Sequence, residues 1–296
     1  LSKPVAALVD TACVADTQTA GKGRGDNIWS SPPGCLLFSF NFASTDGTRL
    51  PFAQYLISLA LIKAVRSLGG CHDLQVKIKW PNDIYAKVRP GHDVEGVVAG
   101  DAPPLSEGCG EGEGEPPFVA PPRHGDYLKI GGVLCQSSYD YQSKSFVVVA
   151  GIGLNVLNDR PTTCLERLRK SGDHRGGGGG GGGGDDDAVS RAAVLAAFFN
   201  IAEPMLDRFH VDGFDPFRDE YLMNWLHTGQ MVTAVDLARG GQAQKDMPAD
   251  GTALEIVGIA ASSGLLALDR ITGQQYELLP DGNSLDFMQG LLKRKL

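Results

Sequence analysis

The 296-residue sequence has no Cys-x-x-Cys pair, no long apolar run and no excess of basic residues. Without such a pair among the 6 cysteines, a thiolate zinc site is not expected, and the cysteines are interpreted as reduced core residues. No stretch approaches the roughly 20 apolar residues of a membrane helix, and no secretory signal is recognisable. The formal net charge of -8 argues against nucleic acid as the main partner. We therefore expect a cytoplasmic globular protein that binds neither membrane nor nucleic acid.

Two segments of low complexity interrupt the chain. Residues 90–126 are rich in Pro, Gly and Glu and are predicted to form a mobile insertion. Residues 171–187 contain a run of successive glycines, from Gly176 to Gly184, and are predicted to be a flexible linker. This run is not interpreted as a phosphate-binding loop, because no Gly-Lys-Ser/Thr follows it.

The remaining apolar pattern predicts an α/β (α+β) chain with two domains. Strands are predicted at residues 5–15, 35–42, 76–80, 129–134 and 147–154, the first of them buried. Helices are predicted over residues 52–68, over residues 194–205 with a kink at Pro204, and from an N-cap at Asp215. Four short strands follow within residues 232–279 and predict a small β-barrel. We place the boundary near Thr228, which gives domains 1–228 and 229–296.

A glycine-rich loop is the first candidate for chemistry. Residues 18–32 read QTAGKGRGDNIWSSP, and the glycines leave backbone NH groups that can turn inward. Lys22 and Arg24 add positive charge, so the loop is a candidate site for anionic groups. A loop of this kind standing alone is more often a solvated turn.

A second candidate is the turn at residues 79–85, which read KWPNDIY. The segment ends a predicted strand and presents Asn82 and Asp83 at its tip. A carboxylate beside a phosphate-binding loop is a usual means of holding Mg2+. The alternative is an ordinary Asn-Asp turn.

Two further segments combine small residues with one polar group each. Residues 129–134 read KIGGVL, in which Lys129 precedes two glycines that allow close approach of a ligand to the backbone. Residues 151–155 read GIGLN, with small residues at alternate positions and Asn155 at the end. Alone, the lysine would be surface charge and the second segment would be weak support.

Taken in order, the four segments resemble the catalytic signature of the biotin–protein ligases, also called holocarboxylase synthetases. The family pattern runs from a Gly/Arg loop reaching Trp-x-Ser-Pro through KWPND and K-x-GG-x-L to G-x-G-x-N. Residues 225–230 (WLHTGQ) and 280–284 (PDGNS) are similar to the eukaryotic branch. The resemblance implies a class II synthetase-like catalytic domain with a mixed β-sheet, followed by an SH3-like barrel. It also implies an ATP-dependent ligase that forms biotinyl-5'-AMP and transfers biotin to carrier domains of carboxylases.

The resemblance assigns roles to individual residues. Biotin contacts are implied for Gln18, Gly21, Lys22, Gly23, Arg24, Lys129, Gly131, Gly132, Gly151 and Gly153. ATP contacts are implied for Lys22, Arg24, Trp29, Asn82, Lys129 and Asn155, with Trp29 packed on the adenine and Asn155 reading its edge. Lys129, Arg24 and Asp83 form the implied catalytic set, and Asp83 is the implied ligand of the Mg2+ that accompanies ATP. A monomer or weak dimer is expected.

Two departures from the family pattern accompany the resemblance. Nothing upstream of Thr11 offers the usual Ser-Thr pair, so we expect the N-terminal part of the family's domain to be missing. An organellar form of the protein is the alternative to a cytoplasmic one. Lys22 stands where the family usually has Arg, which keeps the charge but loses the bidentate fork. A lipoate–protein ligase of the same fold and a non-catalytic module that binds biotin or nucleotide are the alternative functions.

Overall fold

A computed structural model describes residues 10–23, 28–29, 31–88, 123–124, 126–158, 162–172, 189–235, 248–278, 283–286 and 291–294. Most of both low-complexity segments lies outside these ranges, so their predicted mobility stays a prediction. Among the described residues, no helix is both long and apolar enough to cross a membrane.

The first half of the described chain is dominated by strands. These are β1 (Ala12–Ala15), β2 (Gly21–Lys22), β3 (Ile28–Trp29), β4 (Cys35–Ser44), β5 (Val76–Lys79), β6 (Asp83–Lys87), β7 (Arg123–His124), β8 (Tyr127–Asp140) and β9 (Ser145–Asn155). A 7-stranded sheet has the order β1-β4-β9-β8-β6-β5, and β7 pairs with β8. β2 and β3 form a separate 2-stranded ribbon.

The pairings within the 7-stranded sheet are antiparallel, which corrects the expectation of a mixed sheet. The parallel contact found beside it is an isolated bridge between Ile78 and Trp225. The physical reason lies in the connections. β5 and β6 are joined by a tight turn, as are β8 and β9, and such turns join antiparallel neighbours, whereas parallel neighbours need a long crossover.

The described residues form four α-helices beside the sheet, namely α1 (Leu50–Ser67), α2 (Leu165–Gly172), α3 (Arg191–Asp212) and α4 (Asp215–Asn224). The helix predicted from residue 52 is confirmed as α1. Ser190 caps α3, because its side chain accepts a hydrogen bond from the Ala193 amide at 3.0 Å. α3 continues through Pro204, so the predicted kink does not end it. α4 has Phe214 as its N-cap, one residue before the Asp215 that was predicted.

One face of the sheet is covered by helices, and Gly151 and Gly153 of β9 lie on the other. β4 alternates, so that Leu36, Phe38, Phe40 and Phe42 are buried beneath the helices. The Phe198 ring of α3 meets those of Phe38 and Phe40 with centroids 5.1 and 5.6 Å apart. Aromatic pairs of this kind add to the apolar burial that holds α3 on the sheet. The candidate site therefore belongs to the opposite face.

The edge strand β1 differs from its prediction. Residues 5–15 were expected to form a buried strand, but the four residues of β1 are all exposed. β1 pairs only with β4 and lies at the sheet margin, and apolar composition alone does not distinguish an edge strand from a central one. Residues 5–9 lie outside the described part of the chain.

The C-terminal strands form a second sheet. They are β10 (Met231–Val235), β11 (Ala253–Ile259), β12 (Leu265–Asp269), β13 (Gln275–Leu278), β14 (Asn283–Asp286) and β15 (Leu291–Arg294). The 6-stranded order is β13-β12-β11-β10-β15-β14, and β10 and β15 run parallel. The four predicted strands are confirmed, and β14 and β15 are additional. A small C-terminal β unit therefore follows the helices, while the domain boundary at Thr228 stays a prediction.

Candidate active site

The start of β6 and the start of β8 bring Asp83 and Lys129 into contact. The Val133 amide donates to the Asn82 carbonyl at 2.9 Å, and Asp83 lies opposite Gly132 in the sheet register. Nζ of Lys129 is 2.6 Å from Oδ1 of Asp83, with side chains 24% and 22% exposed. The pair is thus partly buried yet reachable from solvent. A ligand that enters here meets a cation and a carboxylate side by side.

Glycines form the floor beneath this pair. Gly132 and Gly153 are register partners on β8 and β9. A Cβ added to Gly132 would lie 3.5 Å from Oδ1 of Asp83 and 4.0 Å from Cε of Lys129, so the ion pair lies directly over this glycine. A Cβ on Gly151 would meet nothing nearer than 3.7 Å. Gly151 thus leaves the backbone open on this face, while the ion pair lies over Gly132.

Gly131 differs from the other predicted wall residues. A Cβ at Gly131 would lie 2.8 Å from the Gly153 carbonyl oxygen and 2.9 Å from Cδ1 of Leu154, which belongs to the hydrophobic core. Gly131 is therefore required by packing inside the sheet rather than by the open face. Its implied contact with biotin stays a prediction, and the structure gives a separate physical reason for glycine here.

The ribbon of β2 and β3 places Trp29 on the glycine floor. Gly21 pairs with Trp29, and a Cβ on Gly153 would lie 2.7 Å from Nε1 of the indole. Nζ of Lys129 lies 5.5 Å from the centroid of the Trp29 ring, within cation–π range. Nε1 of Trp29 is buried and has no acceptor among the described residues. The indole thus presents a donor at the place where a ligand would lie.

Asn155 is buried at the end of β9, on the same face of the strand as Gly151 and Gly153, and its side chain is held by hydrogen bonds. Its Nδ2 donates to Oγ1 of Thr162 at 2.7 Å, and that hydroxyl donates to the Lys129 carbonyl at 3.0 Å. The Asn155 side chain is buried, and its Oδ1 accepts from the Cys35 thiol at 3.4 Å. Burial raises the pKa of the Cys35 thiol to about 11, so this sulfur remains a protonated donor. Asn155 therefore holds the backbone of Lys129, and its implied contact with adenine stays a prediction.

The remaining loop residues are only partly described. Gln18 and Lys22 are exposed, Gly23 is half-buried, and Oε1 of Gln18 accepts from the Ser31 hydroxyl at 3.4 Å. Arg24 lies outside the described residues, so its implied catalytic and binding roles stay predictions. Asn82 is half-buried, and its carbonyl forms the β6–β8 contact given above.

The site offers a single carboxylate to a metal ion. Within the described ranges, no group of three or more His, Cys, Asp or Glu side chains is arranged to hold a metal. Mg2+ is commonly held by one or two carboxylates together with substrate phosphates. Asp83 therefore suits a Mg2+ ion that arrives with ATP as part of the substrate, and it does not suit a resident metal.

Sequence reasoning missed three residues that the structure connects to the site. Thr162 links Asn155 to Lys129, and no motif marks it. Cys35 was interpreted only as a core thiol, although it donates to Asn155. His227 lies in a segment that was noticed only for its similarity, and its Nε2 accepts from the Trp80 amide at 2.8 Å.

The chain is similar in sequence to the members of one protein family. The model of the Biotin/lipoate A/B protein ligase family matches residues 7–155. The chain is 35% identical over 293 residues to biotin–protein ligase 2 of Arabidopsis thaliana, covering 97% of this chain and 70% of that protein. It is 29% identical over 286 residues to the biotin–protein ligase of Homo sapiens, covering 95% of this chain and 31% of that protein.

A solved structure shows the same fold. The biotin protein ligase from Aquifex aeolicus in complex with biotin and ATP superposes with a TM-score of 0.57 at 20% identity. The alignment covers 97% of this chain and 90% of that chain. The family match and the similarity to the Arabidopsis protein, which extends over 97% of this chain, establish the family. The chain belongs to the Biotin/lipoate A/B protein ligase family.

Proposed function

We propose that this chain is an ATP-dependent biotin–protein ligase. It forms biotinyl-5'-AMP from biotin and ATP and then transfers biotin to a lysine of the carrier domains of biotin-dependent carboxylases. The observation that carries the proposal is the position of Lys129, which contacts Asp83 at 2.6 Å above the glycine floor and lies 5.5 Å from the Trp29 ring centroid. A cation, an aromatic surface and bare backbone thus converge in one place.

The first step brings two anions together. The biotin carboxylate attacks the α-phosphate of ATP, a bond to phosphorus forms, and pyrophosphate leaves. Lys129 reduces the repulsion between the anions and stabilises the charge that develops on the phosphoryl oxygens. Its ammonium pairs with Asp83. Its backbone carbonyl accepts a hydrogen bond from Thr162, which in turn accepts one from Asn155. Arg24 and Lys22 are assigned to the phosphates by family resemblance.

The second step needs no covalent enzyme intermediate. The amine of a carrier lysine attacks the acyl carbon of the mixed anhydride, an amide forms, and AMP leaves. In the proposal Lys129 remains beside the bridging oxygen and favours the departure of AMP. The Lys129–Asp83 pair is partly exposed, which leaves it accessible to the lysine of a macromolecular acceptor.

Residue assignments complete the proposal. Biotin is assigned to the floor at Gly132, Gly151 and Gly153, with the loop from Gln18 to Arg24 folding over it. ATP is assigned to the side of Trp29 and Asn82, and Asp83 is assigned to the Mg2+ that enters with the nucleotide. The buried Nε1 donor of Trp29 supports a ligand with acceptor atoms at this place.

The proposal extends to the cellular compartment and to the acceptor proteins. One relative, which is 35% identical over 291 residues, is named a chloroplastic biotin–protein ligase. This supports an organellar form as an alternative to a cytoplasmic one. The acceptors are proposed to be carboxylase carrier domains, and the chain is proposed to act as a monomer or weak dimer.

Adenylate formation tests the proposal without a carrier. The chain is incubated with ATP and Mg2+ and with either biotin or lipoate, and the acyl-adenylate is measured by mass spectrometry. Biotinyl-5'-AMP in the biotin reaction alone is expected. Lipoyl-AMP as the preferred product would move the chain to the lipoate branch, and no adenylate in either reaction would contradict the proposed activity. The matched control is Lys63→Ala. Lys63 lies on α1, away from the site, and pairs with Glu220 of α4.

A further inference from the structure

A buried histidine of the C-terminal region is bonded to the backbone of the turn that carries Asp83. The Trp80 amide donates to Nε2 of His227 at 2.8 Å, and the His227 ring is fully buried. Nδ1 of the same ring lies 3.0 Å from Oε1 of Gln230. Since Nε2 accepts, Nδ1 carries the proton and donates to Gln230. The two contacts define one tautomer of a neutral imidazole.

The bond lies a short distance from the reacting groups. Trp80 is followed by Pro81, Asn82 and Asp83, and the Asn82 carbonyl accepts from the Val133 amide at 2.9 Å. Asp83 in turn contacts Lys129 at 2.6 Å. A shift of the Trp80 backbone would therefore move the carboxylate that poises Lys129. A displacement of about 1 Å at a catalytic group can lower the rate by about 10²-fold.

The indole of Trp80 is bonded as well, and to the same region of the fold. Its Nε1 donates to the Tyr55 hydroxyl at 2.7 Å, and that hydroxyl donates to the Ser263 carbonyl at 2.6 Å. The Leu226 amide also donates to the Ile78 carbonyl at 3.0 Å. The turn is thus bonded to His227, which follows α4, and to Tyr55 of α1, whose hydroxyl reaches the loop between β11 and β12.

We propose that His227 is a positioning residue for the ligase reaction. It holds the turn from Trp80 to Asp83 so that Asp83 and Lys129 keep their reactive geometry, although it contacts no substrate itself. This inference rests on the proposed function for its catalytic consequence, while the bond from the Trp80 amide to His227 can be measured independently. The feature that matters is an acceptor atom at the position of Nε2.

Two amide variants of His227 separate the effect of the acceptor atom from the effect of the ring's volume. In His227→Gln the side chain is long enough to place its oxygen where Nε2 lies. In His227→Asn the shorter side chain ends near the position of Nδ1 and leaves the Trp80 amide without an acceptor. Both are polar and smaller than histidine, so a difference between them reports on the acceptor and not on lost volume.

Two readouts are taken on the full chain. Hydrogen–deuterium exchange of the peptide containing residues 80–83 measures the bond directly. Adenylate formation from biotin, ATP and Mg2+ gives kcat and the KM for biotin. For His227→Asn we expect faster exchange and a kcat lower by about 10- to 100-fold, with KM for biotin within about twofold of the parent. For His227→Gln both values are expected to lie near those of the parent.

The outcomes are separable. Slow exchange or parental kcat in a folded His227→Asn would overturn the proposal, as would equal losses in the two variants, because the acceptor would then be unimportant. If the parent chain forms no adenylate, the proposed function fails, and the exchange readout still decides whether His227 holds the turn. Should His227→Asn not fold, Gln230→Ala replaces it. That variant removes the acceptor of Nδ1, and a smaller kcat loss in the same direction is expected, with no loss overturning the proposal.

Discussion

Nζ of Lys129 lies 2.6 Å from Oδ1 of Asp83, directly above Gly132. The two side chains come from strands β8 and β6, and a Cβ at Gly132 would lie 3.5 Å from Oδ1 of Asp83 and 4.0 Å from Cε of Lys129. Both side chains are about three-quarters buried. The arrangement keeps an ammonium aimed at the open face until anionic substrates compete for it.

The carboxylate of Asp83 is predicted to act in adenylate formation. In Asp83→Asn the Mg2+ that accompanies ATP would lose the ligand proposed for it, and Lys129 would lose its ion-pair partner. We expect the kcat/KM for ATP to fall by about 10- to 1000-fold, as for the loss of one charged transition-state group. Steady-state adenylation measures this, with Lys63→Ala as the control. A variant with the parental kcat/KM would remove Asp83 from the catalytic set. Transfer from preformed biotinyl-5'-AMP, assayed in parallel, reports separately on any role toward the carrier lysine.

Gly131 and Gly151 make opposite predictions for stability. A Cβ at Gly131 would lie 2.8 Å from a carbonyl oxygen, whereas one at Gly151 would meet nothing nearer than 3.7 Å. Gly131→Ala should therefore lower the free energy of unfolding by about 1–3 kcal/mol, the usual cost of overpacking. Gly151→Ala should change it little, because alanine also restricts the unfolded chain. Urea unfolding of both variants compares them, and equal stabilities would contradict the packing account of Gly131.

The hydrogen bonds from Asn155 to Thr162 and from Thr162 to the Lys129 carbonyl predict an energetic coupling between Asn155 and Thr162. Asn155→Ala and Thr162→Val each break the connection to the Lys129 carbonyl, so the second change adds little once the first is made. A double-mutant cycle on unfolding free energy should give a coupling of about 0.5–3 kcal/mol. Additive effects would show that the two side chains act independently. If Asn155 also contacts adenine, its variant should raise the KM for ATP more than Thr162→Val does.

Glu166 at the start of α2 predicts a dependence of stability on pH. Hydrogen bonds from Arg169 and pairing with Lys170 lower the pKa of Glu166 from its ordinary 4.5 to about 2. Because the folded pKa lies below the unfolded one, the ionised form stabilises the fold fully above about pH 4.5, and this contribution is lost as pH falls towards 2.

The matching variant is Glu166→Gln. It should be less stable than the parent by about 1–3 kcal/mol near neutral pH, and the difference should shrink between about pH 4.5 and pH 2. Urea unfolding at several pH values measures the difference, which separates Glu166 from the other carboxylates. A difference that stays constant with pH would show that the arginine contact does not act through ionisation.

Local pattern was sufficient for many of the elements. The apolar spacing that predicted a helix from residue 52 is confirmed in α1, and the short C-terminal strands are confirmed as β10 to β13. Both depend on near neighbours in the chain. β14 and β15 were missed, because they are short strands in a segment that had been interpreted only by similarity. The exposure of β1 and the antiparallel direction of the large sheet were also missed, since both depend on which strand lies beside which.

The candidate site shows the same division. The residues of KWPND and of the lysine–glycine segment were identified from their order and chemical type. That Lys129 touches Asp83 above Gly132 depends on the β6–β8 register, which no local pattern specifies. Thr162 and His227 act through single hydrogen bonds between segments distant in the chain. Such contacts follow from the tertiary fold, so the sequence pattern gave no signal for them.

The intact mass of a biotin carrier domain tests the central claim most directly. The carrier is incubated with this chain, biotin, ATP and Mg2+, while a lipoyl domain with lipoate runs in parallel. We expect a biotin-sized mass gain on the carrier only. The gain should be lost with Lys129→Ala and kept with Lys63→Ala. A gain on the lipoyl domain alone, or a biotin gain that survives Lys129→Ala, would contradict this claim.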